Sequence, residues 1–71
     1  MQKYNNPSSG IVQYEIGQDY ILIEFKGKKQ YLYNYKVTGK DIVEEMKNLA
    51  KSGKGLSSFI HKNAKTNYIK K

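Results

Sequence analysis

Apolar and polar side chains alternate with a period of two from residue 11 onward. Val12, Tyr14 and Ile16 are separated by Gln13 and Glu15, the mark of a strand with one buried face, predicted over 11–16. Gly17-Gln18-Asp19 has turn composition. Alternation then resumes over 20–26, with Ile21, Ile23 and Phe25 on one face and Tyr20, Leu22, Glu24 and Lys26 on the other. A third strand is predicted over 30–35, after a turn around Gly27. Connections this short make the three strands an antiparallel meander.

The register of the second hairpin decides where the tyrosines go. A two-residue loop puts Tyr31 opposite Leu22 or Glu24. A three-residue loop (Lys26, Gly27, Lys28) pairs Phe25 with Lys29, Glu24 with Gln30 and Ile23 with Tyr31. The second arrangement matches polar with polar and apolar with apolar, and register follows that match where one face is buried. It sends Tyr31 and Tyr33 to the core side.

From residue 38 the period changes to that of a helix. Ile42, Val43, Met46, Leu49 and Ala50 form one apolar stripe, predicting a helix over 39–52. Thr38 is positioned as its N-cap with Asp41 answering in a capping box, and Gly53 as its C-terminal cap. A second helix is predicted over 56–64, on the stripe Leu56, Phe59 and Ile60. The fold class is α+β, a three-stranded antiparallel meander packed against a C-terminal helical hairpin (β-β-β-α-α). The predicted core is Val12, Tyr14, Ile16, Ile21, Ile23, Phe25, Tyr31, Tyr33, Val43, Met46, Leu49, Ala50, Leu56, Phe59 and Ile60. Residues 1–10 are polar and read as a flexible arm, leaving 11–71 as one domain and a monomer.

Composition narrows the function. The 71 residues include no cysteine, so there is no disulfide or thiolate metal site, which suits a reducing cytosol and predicts a cytoplasmic protein. The N-terminus has no apolar stretch of signal-peptide type, and the longest apolar run, Ile21-Leu22-Ile23, is far short of the ~20 residues of a membrane span. Leu56, Phe59 and Ile60 beside lysines have the look of a membrane-surface helix, but a domain this small needs them for its core. No membrane association is expected.

The net charge is +7, from 13 basic residues, all lysine, against 6 acidic ones. Residues 1–46 carry as many acids as lysines, whereas residues 47–71 carry seven lysines and no acid. That asymmetry marks a face for a polyanion, although solubility alone also calls for net charge and an AT-rich coding sequence also yields lysine without arginine. Lysine binds phosphate as a point charge and reads bases poorly. The candidate nucleic-acid face comprises Lys28, Lys29, Lys51, Lys54, Lys62 and Lys65, with Tyr20 as a stacking ring on the sheet face away from the core. Lys51-Ser52-Gly53-Lys54-Gly55 has two readings, an anion-binding nest of turn amides and an ordinary helix–helix turn. His61, the only histidine, has no neighbouring nucleophile, carboxylate or second ligand in the sequence. Ser57 and Ser58 have no activating base. No enzyme, cofactor or metal site is expected.

The order of these features resembles a known family. An apolar strand ending at Phe25, a glycine turn and Tyr31-Leu32-Tyr33 are similar to the YxY signature of the KTSC domain. The likeness continues through Val43-Glu44-Glu45-Met46-Lys47, Leu49-Ala50, Ser52-Gly53 and Gly55-Leu56-Ser57-Ser58-Phe59-Ile60, and ends at Tyr68. It covers roughly residues 11–68. Ser57 departs from the asparagine often found in that stretch. The resemblance implies a stand-alone KTSC-like domain of a family whose function is unknown, with RNA binding suggested by its fusion to lysyl-tRNA synthetases. The expected partner is RNA or another nucleic acid. The alternative is an acidic protein recognised through a sheet edge or the open sheet face.

Overall fold

Alternation and stripe resolve, in a computed structural model that describes residues 2–5 and 10–71, into β1 (Gln2–Lys3), β2 (Ile11–Ile16), β3 (Tyr20–Phe25), β4 (Lys29–Asn34), α1 (Lys40–Ser52), α2 (Leu56–Asn63) and β5 (Ile69–Lys70). The strands form one antiparallel sheet in chain order. Residues 1 and 6–9 of the predicted arm lie outside the described residues.

The α+β class and the central meander are as expected, but the sheet is wider than three strands. β1 adds to one edge, pairing Gln2 with Tyr14 and Lys3 with Gln13, and β5 adds to the other, pairing Ile69 with Leu32 and Lys70 with Tyr31. Two-residue strands are too short to show a period, so alternation does not announce them. They nevertheless occupy backbone groups of the edges of β2 and β4. Backbone bonds extend both pairings, from the Tyr4 amide to the Val12 carbonyl (3.1 Å) and from the Lys71 amide to the Gln30 carbonyl (2.8 Å).

The β3–β4 register is the one the polar match selects: Phe25 opposite Lys29, Glu24 opposite Gln30, Ile23 opposite Tyr31 and Ile21 opposite Tyr33. Its tip runs through two left-handed residues, Gly27 (φ 85°) and Lys28 (φ 62°). Both helices cover the face that carries Ile21, Ile23 and Tyr33. These residues are buried in one cluster with Val43, Met46, Ala50, Leu56, Ile60 and Ala64. Tyr4 joins that cluster at 3% exposure. Its ring meets Tyr14 edge to face at 6.4 Å, and its hydroxyl accepts the Leu56 amide at 3.4 Å.

Two expectations need correction. Val12 is 39% exposed, and Ile11, at 3%, takes the core position. The cause is a bulge: pairing to β3 shifts between Ile11 and Gln13, so one extra residue changes the phase of the strand's first half. Thr38 does not cap α1. Gly39 holds the N-cap position with no side-chain cap bond, while the buried Thr38 hydroxyl donates to the Asn67 carbonyl at 2.5 Å, tying the start of α1 to the segment before β5. Gly53 does close α1, in the left-handed conformation, its amide bonded to the Leu49 carbonyl. At Gly17 the Tyr20 ring packs against the backbone, and a Cβ there would lie 1.9 Å from it, so a side chain would displace the ring.

A polar cluster joins α1 to the sheet. The Lys47 ammonium donates to Glu44 Oε2 (2.8 Å) and to the Gln18 carbonyl (2.9 Å). The Tyr35 hydroxyl donates to the same carboxylate oxygen at 2.5 Å. Lys47 is only 8% exposed, so the first of the seven C-terminal lysines is engaged inside the fold. These donors hold the Glu44 carboxyl below the usual range, the Lys47 bond most of all and the Tyr35 bond next. On the other sheet face Glu24 is likewise lowered, by the amides of Gln13 (2.9 Å) and Gln30 (3.0 Å).

Two outcomes follow for stability. Ile11→Ala should cost about 2–5 kcal/mol, whereas Val12→Thr should stay within about 0.5 kcal/mol, both read from urea denaturation. The reverse order would remove the bulge. Because the folded-state pKa values of Glu44 and Glu24 are depressed, their stabilisation is present above the unfolded carboxylate range and is lost as pH falls through the folded values. The melting temperature should therefore drop as pH is lowered into and below the carboxylate range. The Glu24→Gln, Glu44→Gln double variant should show a shallower drop, and an unchanged drop would contradict the assignment.

Candidate nucleic-acid interface

Between α2 and the β3–β4–β5 side of the sheet lies a groove of about 210 Å³. One wall is aromatic. Phe25 and Tyr31 are cross-strand diagonal neighbours with ring centroids 5.4 Å apart. Tyr68 stacks on Tyr31 at 4.3 Å with a 25° interplanar angle. The alternation of β3 and β4 puts Phe25 and Tyr31 on the helix side, and the Thr38–Asn67 bond holds the chain that delivers Tyr68. Tyr33 and Ile60 form the floor. Burial, then the neighbouring Tyr68 and Tyr31, push the Tyr33 phenol well above its usual range, so it remains a neutral hydroxyl.

The facing wall is polar. Ser57, His61 and Lys65 line it, spaced by four residues each. Ser57 and His61 are thus stacked one turn apart on α2, beside the buried Leu56–Ile60–Ala64 stripe. None of the described residues lining the groove is acidic. Register adds two lysines on the same sheet face, Lys29 opposite Phe25 and Lys70 opposite Tyr31.

The residues read from sequence as the nucleic-acid face are divided by the fold. Lys65 lines the groove, and Lys29 stands at the end of its aromatic wall. Lys28 is exposed at the hairpin tip, and Lys62 is exposed on α2, away from the Ile60 stripe. Lys51 lies at the other edge of the sheet, in a shallow depression of about 410 Å³ with Gln2, Tyr14, Glu15 and Ile16. Lys54 is exposed in the inter-helix turn. Within that turn the Gly53 amide already bonds the Leu49 carbonyl, and the first amide of α2, Leu56, bonds the Tyr4 hydroxyl. Tyr20 stands on the uncovered sheet face, its hydroxyl donating to Glu15 at 2.8 Å, which raises its pKa. The charges acting on it are those of Glu15 and Asp19.

Tyr68, Ser57 and His61 line the groove without being marked as binding residues in the sequence. The i, i+4, i+8 spacing of Ser57, His61 and Lys65 was visible, but nothing local marks which way that side of α2 points. Tyr68 belongs to no periodic element.

Comparison of the chain with protein-family models, with curated proteins and with solved structures finds no match.

The aromatic wall is testable without a ligand. A double-mutant cycle on Tyr31→Leu and Tyr68→Leu should give a coupling of about 0.5–1.5 kcal/mol, as expected for paired rings beyond simple burial. A coupling near zero in urea denaturation would mean that the two rings do not stack.

Proposed function

We propose that this chain is a small non-enzymatic, KTSC-like binding module that holds single-stranded nucleic acid, RNA in the first instance, weakly and with little base preference, in the cytoplasm. The observation that carries the reading is the aromatic wall of Phe25, Tyr31 and Tyr68 flanked by Lys29, Lys65 and Lys70. Strand-binding proteins combine those two elements: rings on which bases stack and cations that follow the phosphates. The excess of lysine over residues 47–71 supports it by raising the local concentration of a polyanion, and the absence of arginine argues for low base specificity. The resemblance to KTSC domains points the same way.

A second reading is a protein-interaction domain, and it has its own observation. On the uncovered sheet face the register aligns Leu22, Leu32 and Ile69 across three strands, with Ile69 40% exposed. An acidic partner with an apolar anchor would suit that row and the positive charge of the chain.

A salt titration with short single-stranded RNA and DNA, against duplexes of the same sequence, separates the readings. Three phosphates neutralised by Lys29, Lys65 and Lys70 give a logarithmic salt slope of about −2 for single strands. Lys65→Ala with Lys70→Ala should weaken binding and flatten that slope, while Lys51→Ala with Lys54→Ala should change it less. If the wild-type protein binds none of these probes at low salt, the nucleic-acid reading is wrong and the open sheet face becomes the surface to pursue.

A further inference from the structure

We infer that the groove takes one unstacked nucleotide of a single strand, its base laid on the aromatic wall and its phosphate held by the α2 wall. The inference rests on the nucleic-acid reading and goes further by assigning the unit recognised and the residues that recognise it. The space is the first argument. About 210 Å³ lies below the roughly 300–1,000 Å³ of pockets that enclose drug-sized ligands, so the groove accommodates a single planar ring rather than a run of bases. The aromatic wall is the second. Tyr31 and Tyr68 are already in contact at 4.3 Å, which leaves no gap for a base between them. An incoming base adds as the next layer of an existing stack. A base paired and stacked within a duplex cannot present its face in that way.

The facing wall supplies the third argument. Ser57 and His61, one turn apart on α2, and Lys65 just beyond its end bring a hydroxyl, an imidazole and an ammonium to the groove, with no carboxylate among its described lining residues. Hydrogen-bond donors together, one of them cationic, suit an oxyanion. A ligand that satisfies both walls therefore has a flat aromatic face and an anionic group on its other side, which is the make-up of a nucleotide. Lys29 and Lys70, set beside Phe25 and Tyr31 by register, offer positions for neighbouring phosphates. Those two extra cations favour a nucleotide within a strand over a free mononucleotide.

The experiment uses the intact chain with five probes: the trinucleotide ApApA, the same trinucleotide with its middle base removed, a blunt RNA duplex, adenosine monophosphate and a phosphotyrosine peptide. Binding is followed by NMR shifts of Tyr31, Tyr68, Ser57 and His61. ApApA should move these resonances and bind about tenfold tighter than the abasic version, the value of one stacked base. The duplex should leave the groove resonances unmoved, and adenosine monophosphate should move them with weaker affinity. His61→Ala and Lys65→Gln, both exposed positions, should each weaken ApApA without altering the fold. Equal affinity for ApApA and the abasic probe would overturn the one-nucleotide site while leaving charge-driven binding standing. Binding of no probe would overturn both. Tighter groove binding by a phosphotyrosine peptide than by ApApA would assign the site to a different ligand and overturn the inference.

Discussion

The three-residue tip between β3 and β4 decides what every later element can pack against. With Phe25 opposite Lys29, the odd residues of both strands fall on one face, and Ile21, Ile23, Tyr31 and Tyr33 meet there. Shift the register by one residue and the tyrosines of β4 turn to the opposite face, leaving α1 and α2 without half of their floor. Nothing in the rest of the chain compensates, because a domain of this size has only one core. The buried cluster to which Tyr33 belongs draws on all parts of the molecule: Val43 and Met46 of α1, Leu56 and Ile60 of α2, and Tyr4 from before β2. The groove is the continuation of that core to its margin, where Phe25, Tyr31 and Tyr68 are only partly covered.

Charge is organised around the same frame. The lysine excess of the last third looks uniform in the sequence, yet the fold uses its members differently. Lys47 is drawn into the structure by Glu44, the Gln18 carbonyl and the ring of Tyr35, whose centroid lies 5.6 Å from its ammonium. Lys51 lies on the β1 side near Glu15, Lys65 lines the groove, and Lys70 stands opposite Tyr31 on the same sheet face. On the proposed reading, it is local groups of lysines and not the formal total that would meet phosphates. The sheet face away from the helices has a different character, with the carboxylate of Glu24 held between two glutamine amides and the phenol of Tyr20 tied to Glu15.

What was legible in the sequence was whatever repeats over several residues. The second hairpin could be registered because Glu24 and Gln30 had to match, and both helices announced themselves by stripes ending at a left-handed Gly53. What was not legible depended on single residues answering distant ones. The bulge that exchanges Val12 for Ile11 breaks a period that looks unbroken. Thr38 fits an N-cap in local terms, but an acceptor 29 residues away, the Asn67 carbonyl, claims its hydroxyl. β1 and β5 are too short to have a pattern, and with β5 hidden there was no reason to place Tyr68 on Tyr31. The candidate site was correspondingly half visible. Lysine composition indicated an anion, but the aromatic wall needed the closing strand. Parity places Tyr20 on the uncovered face, but it does not reveal that Glu15 and Asp19 act on it there.

The register of β3 and β4 is therefore the claim on which the core and the groove both rest, and NMR of the free protein tests it directly. Cross-strand backbone proton contacts should link Leu22 with Leu32 and Glu24 with Gln30, and the rings of Tyr31 and Tyr33 should show contacts to Ile60. Contacts placing Tyr31 opposite Leu22 or Glu24, with its ring on the uncovered face, would contradict the account.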